Sequence, residues 1–241
     1  YKVVNNWEGS EINSNSNHRG LIPRLWSSNH AANYMNFTNP LKYEILDRYK
    51  SEDVIVESVN EFRNRELQGE LTGEDYNEFF RSLGPYLRIS KPSLFDNLNF
   101  LFSYQINYMY WRYFLWNFVG RQNDIQGEYN ILNGNWMSGI NFLDELRLGN
   151  QKEINIDQEK NKARNTYYFF PLILGLIGLM FCYKYDIKSF WTLLLLFLFT
   201  GLALKFYLNE RPFEPRERDY ALVGSFYVFS VWIGMGFAAL L

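Results

Sequence analysis

Two polar stretches carry the residue types that could do chemistry, and both stand at the edges of apolar segments. The first holds Arg112, Asn117, Arg121, Gln122, Asn123 and Asp124, set among Trp111, Tyr113, Phe114, Trp116 and Phe118. The second runs from Arg211 to Tyr220 and contains Arg216, Glu217, Arg218 and Asp219 in succession. An arginine at a membrane boundary can fork to phosphate oxygens, and an aromatic neighbour can pack on a sugar face or on the guanidinium. That chemistry suits a lipid-linked phosphosugar. Asp124, Glu217 and Asp219 could orient the arginines, bind sugar hydroxyls or act as a general base. The alternative for Arg216 to Asp219 is a self-neutralising collar of snorkelling side chains beside a helix.

Other chemistries find less support. His18 and His30 lie apart in a polar stretch without HExxH or paired-carboxylate spacing, so no metal site and no cofactor is expected. The single cysteine, Cys182, falls in an apolar run and excludes a disulfide framework within this chain. A formal charge of -2 is near balance, and nothing in it points to nucleic acid.

The elements that must position these residues follow from hydropathy. The chain is polar up to Arg164 and largely apolar from Asn165 onward. No charged side chain occurs in 165–183, 189–204 or 220–241. In hydrocarbon such runs must satisfy their backbone polar groups internally, as helices. The expected fold is mainly α: a polytopic membrane protein with a polar extramembrane segment, an interfacial helix and three transmembrane helices at about 165–183, 188–208 and 220–241. Lys188 and Lys205 are expected to extend the second span by snorkelling. Helices buried in a large soluble core are the alternative.

Three regions result. Residues 1–92 are a polar extramembrane segment: loop through about Asn39, then a helical region in which Ile45, Leu46 and Tyr49, and Ile55, Val59 and Phe62, stand at helical offsets. Residues 93–164 hold an aromatic helix and a connector. Ser93 and Asp96 form a capping-box pattern, Leu98, Phe102, Met109 and Trp116 are apolar members of the helix, and Gly120 is a plausible stop. The many Asn, Tyr and Trp side chains suit an interfacial helix, with a core helix under the polar domain as the other possibility. A short helix is expected near Ile140 to Leu146. Residues 165–241 hold the spans. A chain that starts at Tyr1 and stops in an apolar run leads us to expect further sequence at both ends.

The strings MYWRYFLWNFVGRQNDIQG (Met109–Gly127), NGNWMSGINFLDELRLGNQ (Asn133–Gln151), NKARNTYYFFPLILGLIGL (Asn161–Leu179) and RPFEPRERDYALVGSFYVFSVWIG (Arg211–Gly234) resemble bacterial protein O-mannosyltransferase-like membrane proteins common in Bacteroidetes. The resemblance is dense from about Pro92 onward and looser before it, at Pro23 to Ser27 and at Asn29-His30. It implies a GT-C glycosyltransferase. Such an enzyme takes a sugar from a polyprenyl-phosphate donor and places it on an acceptor, here a protein, at the extracytoplasmic face of the bacterial inner membrane. It implies that the polar segment is periplasmic, whereas a bare count of Lys and Arg places it in the cytoplasm. The family's catalytic acidic residue usually lies in the first extracytoplasmic loop, which is absent here, so the catalytic residue is unknown. The matching strings carry over Arg112, Asn117, Arg121, Gln122, Asn123, Asp124, Arg216, Glu217, Arg218 and Asp219 as candidate donor- and substrate-binding residues, with Arg216 and Arg218 on the donor phosphate. The competing reading is a non-catalytic membrane scaffold or a lipid or solute transporter, whose expected sign is charge within the spans.

Overall fold

The computed structural model describes residues 43–241 apart from 69, 72, 90–92, 128, 152, 153, 155 and 211–218. The expected loop at 1–39, with His18 and His30, therefore lies outside the described residues. The fold is mainly helical and divides into two compact units, Tyr1–Phe102 and Ser103–Leu241.

In the first unit, strand β1 (Tyr43–Ile45) pairs antiparallel with β2 (Leu87–Ile89), Tyr43 opposite Ile89. Between them run helices α1 (Asp53–Gln68) and α2 (Gly73–Leu83). As the spacing predicts, Ile55, Val59 and Phe62 share the buried face of α1, because residues three and four apart lie on one side of a helix. They meet Tyr43, Phe79 and Leu87, with Phe62 stacked on Phe79 at 3.7 Å. The offsets at Ile45, Leu46 and Tyr49 do not make a helix. Ile45 ends β1, the Leu46 N–H donates to the Tyr86 carbonyl at 3.0 Å, and Asp47–Tyr49 form one 3-10 turn. A long-range ladder has overridden local periodicity.

Helix α3 (Leu94–Phe100) starts at the predicted capping box: Ser93 Oγ accepts from Asp96 N–H, and the Ser93 N–H donates to the Asp96 carboxylate at 2.8 Å. The helix continues with π winding through Leu101–Arg112 and then as α4 (Tyr113–Phe118). Bonds from i to i+5 turn the faces away from a 3.6-residue register, so Phe102 is exposed while Tyr104, Gln105, Tyr108 and Met109 are buried. In its second half one face of this helix is packed in a core. Tyr110, Phe114 and Phe118 share one core with Phe197, Leu222, Phe229 and Trp232 of the apolar helices. It ends where expected, at Gly120, whose φ of +148° suits only glycine and whose Cβ would collide with the carbonyls of Met137 and Asn165.

Beyond that stop, β3 (Gly120–Arg121) pairs antiparallel with β4 (Asn165–Thr166), and Arg121 also bridges to Trp136. Helix α5 (Asn141–Leu148) is the predicted short helix, and α6 (Ile156–Glu159) is a single turn in the connector. The first apolar run differs from expectation. Its helix α7 spans Phe170–Tyr185, 16 residues, because Asn165–Thr166 belong to a ladder and Tyr168 and Phe169 take left-handed φ values of 51° and 61°. Among the described residues, two helices are long and apolar enough to cross a membrane. One is Ile187–Leu208, 22 residues made of α8 (Ile187–Leu198), a π turn (Phe199–Ala203) and α9 (Leu204–Leu208). The other is the apolar stretch Tyr220–Ala239, 20 residues, of α10 (Asp219–Ala239). The three spans expected from hydropathy thus stand as two of full length and one shorter helix. Helices α7 and α10 cross closely: a Cβ at Gly178 would overlap the Trp232 carbonyl, and one at Gly236 the Leu174 carbonyl.

Candidate functional site

The first polar stretch folds as a laced loop against the end of the long helix. Asn123, with 0% of its surface exposed, accepts from the Gly134 and Ile125 N–H groups and donates to Asn133 Oδ1 at 3.0 Å. Gln122 donates to the Ile131 carbonyl at 2.9 Å and accepts from the Asn135 amide at 3.0 Å. Arg112 is buried; its Nε donates to the Tyr108 carbonyl, its Nη1 to the Gly134 carbonyl, and its guanidinium lies over the Tyr108 ring at 4.4 Å. These three side chains shape the loop from inside it. Asn117 donates to the Tyr113 carbonyl one turn back. Asp124 is exposed and accepts from Asn161 at 3.0 Å.

Arg121 is different. Its guanidinium lies 3.9 Å from the Trp116 ring centroid, while Trp116 Nε1 is fixed by the Asn123 carbonyl at 3.0 Å. Arg121 Nε and the Oδ1 of Asn165, the residue opposite it in the ladder, are both enclosed without a hydrogen-bond partner. The stretch thus brings a cation-aromatic stack to the strand that leads into α7.

Sequence reading missed the neighbours of this stack. Asp144 is buried on α5 and accepts from Ser138 N–H, Ser138 Oγ and Gly139 N–H, all between 2.8 and 3.0 Å. Arg147 lies over Trp136 at 3.4 Å and donates to its carbonyl. Burial holds the Arg147 and Arg164 guanidinium groups below their ordinary range, against the opposing pull of the Asp144 carboxylate. An Asp six residues after a Ser, and an Arg eleven after a Trp, form no recognised local motif, so only the folded loop reveals them.

A second correction concerns Lys205. Instead of snorkelling outward, it is 3% exposed and paired with Glu210, itself 7% exposed. The pair closes over Asn209, the left-handed residue that ends α9, and Gln105 donates to Asn209 Oδ1 at 2.9 Å. Gln105 Oε1 and Glu210 Oε1 stay buried without a hydrogen bond. The charge of Lys205 is thus balanced in place by Glu210. Arg216, Glu217 and Arg218, and the side chain of Asp219, lie outside the described residues. No cluster of three or more metal-ligating side chains occurs among the described residues.

Residues 1–102 match a family of unknown function, DUF8416. No curated protein and no solved structure matches the chain.

Proposed function

We propose that the chain is part of a membrane glycosyltransferase of the protein O-mannosyltransferase-like kind. It would transfer a sugar from a polyprenyl-phosphate donor to a protein acceptor at the extracytoplasmic face of a bacterial inner membrane, with 1–164 periplasmic and α7, Ile187–Leu208 and α10 in the bilayer. The observation that supports this reading is the Arg121 guanidinium stacked on Trp116 in the strand that pairs with the segment just before α7. A planar cation held flat by an aromatic ring keeps its edges for a phosphate, and ring and strand suit a sugar beside it. In this reading Arg121 and Arg216 with Arg218 contact the donor, Asp124 contacts sugar or acceptor, and Arg112, Gln122 and Asn123 hold the loop in shape. Phosphate departs with help from the cations, and a base elsewhere takes the acceptor proton.

The test is transfer of radiolabelled sugar from polyprenyl-phosphate donor to endogenous protein in membranes carrying the protein at full length. Label is expected with intact arginines, and a loss of at least about tenfold with Arg121→Gln or with Arg216→Gln and Arg218→Gln together. No label from any polyprenyl-phosphate sugar, with the protein folded, overturns the reading. One observation favours a transporter as the second reading: Lys205, buried in the last turn of an apolar helix, is paired with Glu210 just beyond the helix end, and ionisable residues in such helices mark transport pathways. Solute uptake that persists without sugar transfer and fails in Lys205→Met would establish it.

A further inference from the structure

Helix α5 has two opposed faces, and among the described residues nothing covers one of them. Asp144 and Leu148, four apart, point inward; Phe142 and Leu146, also four apart and about 200° away around the helix, are 71% and 70% exposed. The rotation of the helix is fixed, because the Asp144 carboxylate is tied to Ser138 and Gly139. The exposed positions of the helix and its leading residue are Ile140, Asn141, Phe142 and Leu146, which carry no charge, while Glu145 is half-buried. The one cation of α5, Arg147, is turned back onto Trp136.

The position of α5 says what meets that face. Gly139, at φ +87°, sits so close to the segment before α7 that a Cβ there would lie 2.8 Å from Thr166 Cβ and from the Tyr168 ring. Trp136 also meets the Phe169 ring at 6.0 Å. From that junction exposed apolar surface continues through Tyr168 and Phe170 to Ile173 on α7.

We propose that α5 is a bilayer-surface anchor: Phe142 and Leu146, with Ile140, dip into the headgroup–acyl boundary beside the start of α7, and Tyr167 and Tyr168 lie in the same interfacial layer. The occupant is lipid, since the exposed residues of this face carry no charge and the junction beside it abuts the segment that leads into the exposed apolar side of α7. This inference rests on the membrane part of the proposed function and is independent of sugar transfer.

The test uses the full chain with Cys182→Ala, reconstituted in phosphatidylcholine vesicles, with single bimane-labelled cysteines at Phe142, Leu146, Gly149 and Leu195. Labels at 142 and 146 should lose at least about half their fluorescence to shallow brominated lipid and little to aqueous iodide, with the reverse at 149. The label at Leu195, exposed within Ile187–Leu208, reports whether the apolar helices are in lipid. Quenching at 195 with iodide-sensitive 142 and 146 overturns the anchor and leaves the membrane reading standing. Shielding of 142 and 146 from both quenchers assigns the face to protein and also overturns it. No lipid quenching at 195 removes the membrane reading and the anchor together.

Discussion

A buried amide with three partners and a half-buried one with a single local partner are chemically the same residue with different consequences. Asn123 satisfies two loop N–H groups and Asn133 at once, so Asn123→Ala leaves buried donors stranded and is expected to cost about 2–3 kcal/mol in detergent thermal unfolding. Asn117→Ala, which loses a bond to the carbonyl one turn back, should cost about 0.5 kcal/mol or less by the same measurement. In the first unit Glu66 accepts from both Tyr43 and Tyr76, and burial, reinforced by that carboxylate, pushes both phenols well above their ordinary value near 10. A raised phenol binds its proton more tightly folded than unfolded. Its contribution is therefore complete below about pH 10 and is lost as pH rises through the folded values. Unfolding followed by circular dichroism should show this loss, and Glu66→Gln should make it shallower. The polar stretch at Arg112 to Asp124 was legible as a concentration of unusual residues. Its roles were not, because the partners of Arg112 and Gln122 are backbone carbonyls of Gly134 and Ile131, fixed only once the loop has closed.

Elements were legible where their cause is local. The Ser93–Asp96 box, the apolar face of α1 and the glycine stop at 120 each depend on residues within a turn or two, and each is where sequence places it. The start of α7 is not local. Its five leading residues are apolar or neutral enough to be helical, but 165 and 166 pair with a strand some 45 positions earlier, and no window of hydropathy contains that partner. The π winding between Leu101 and Arg112 escaped for a related reason, since it departs from the 3.6 period that makes a helical face visible. Packing between elements makes its own prediction. Gly178→Ile should separate α7 from α10 and lower stability by about 3 kcal/mol or more, because the obstacle is the rigid Trp232 carbonyl. Gly234, on the same helix α10, has nothing within 4 Å of an added Cβ, and Gly234→Ala should raise stability by up to about 1 kcal/mol. Thermal unfolding in one detergent compares the two.

For the molecule as a whole, the boundary between compact units and the end of the matched family region coincide at residue 102. That agreement predicts autonomy: residues 1–92, which stop before α3, should stay in solution without detergent and melt cooperatively with a helical signal. Aggregation, or a sloping melt, would show that the first unit depends on the second. The contrast between a polar and an apolar half was visible in the bare sequence, since charge-free runs of membrane length are a property of composition. The ion pair hidden at the end of the second apolar helix was not. Lys205 and Glu210 are five apart, an offset that brings side chains together only because Asn209 reverses the chain between them.

The shortness of α7 has a mechanical consequence. Sixteen helical residues rise about 24 Å, against a hydrocarbon thickness of about 30 Å, so α7 in a bilayer would sit under hydrophobic mismatch. Its leading end has no slack to relieve that tension. Tyr167 N–H is bonded to the Val119 carbonyl, Thr166 is paired with Gly120, and Met137 N–H is bonded to the Gly120 carbonyl. Membrane thickness would then pull on the polar loop directly, and lengthening the lipid chains should speed amide hydrogen exchange at Tyr167 and Met137 before it reaches the interior of α10.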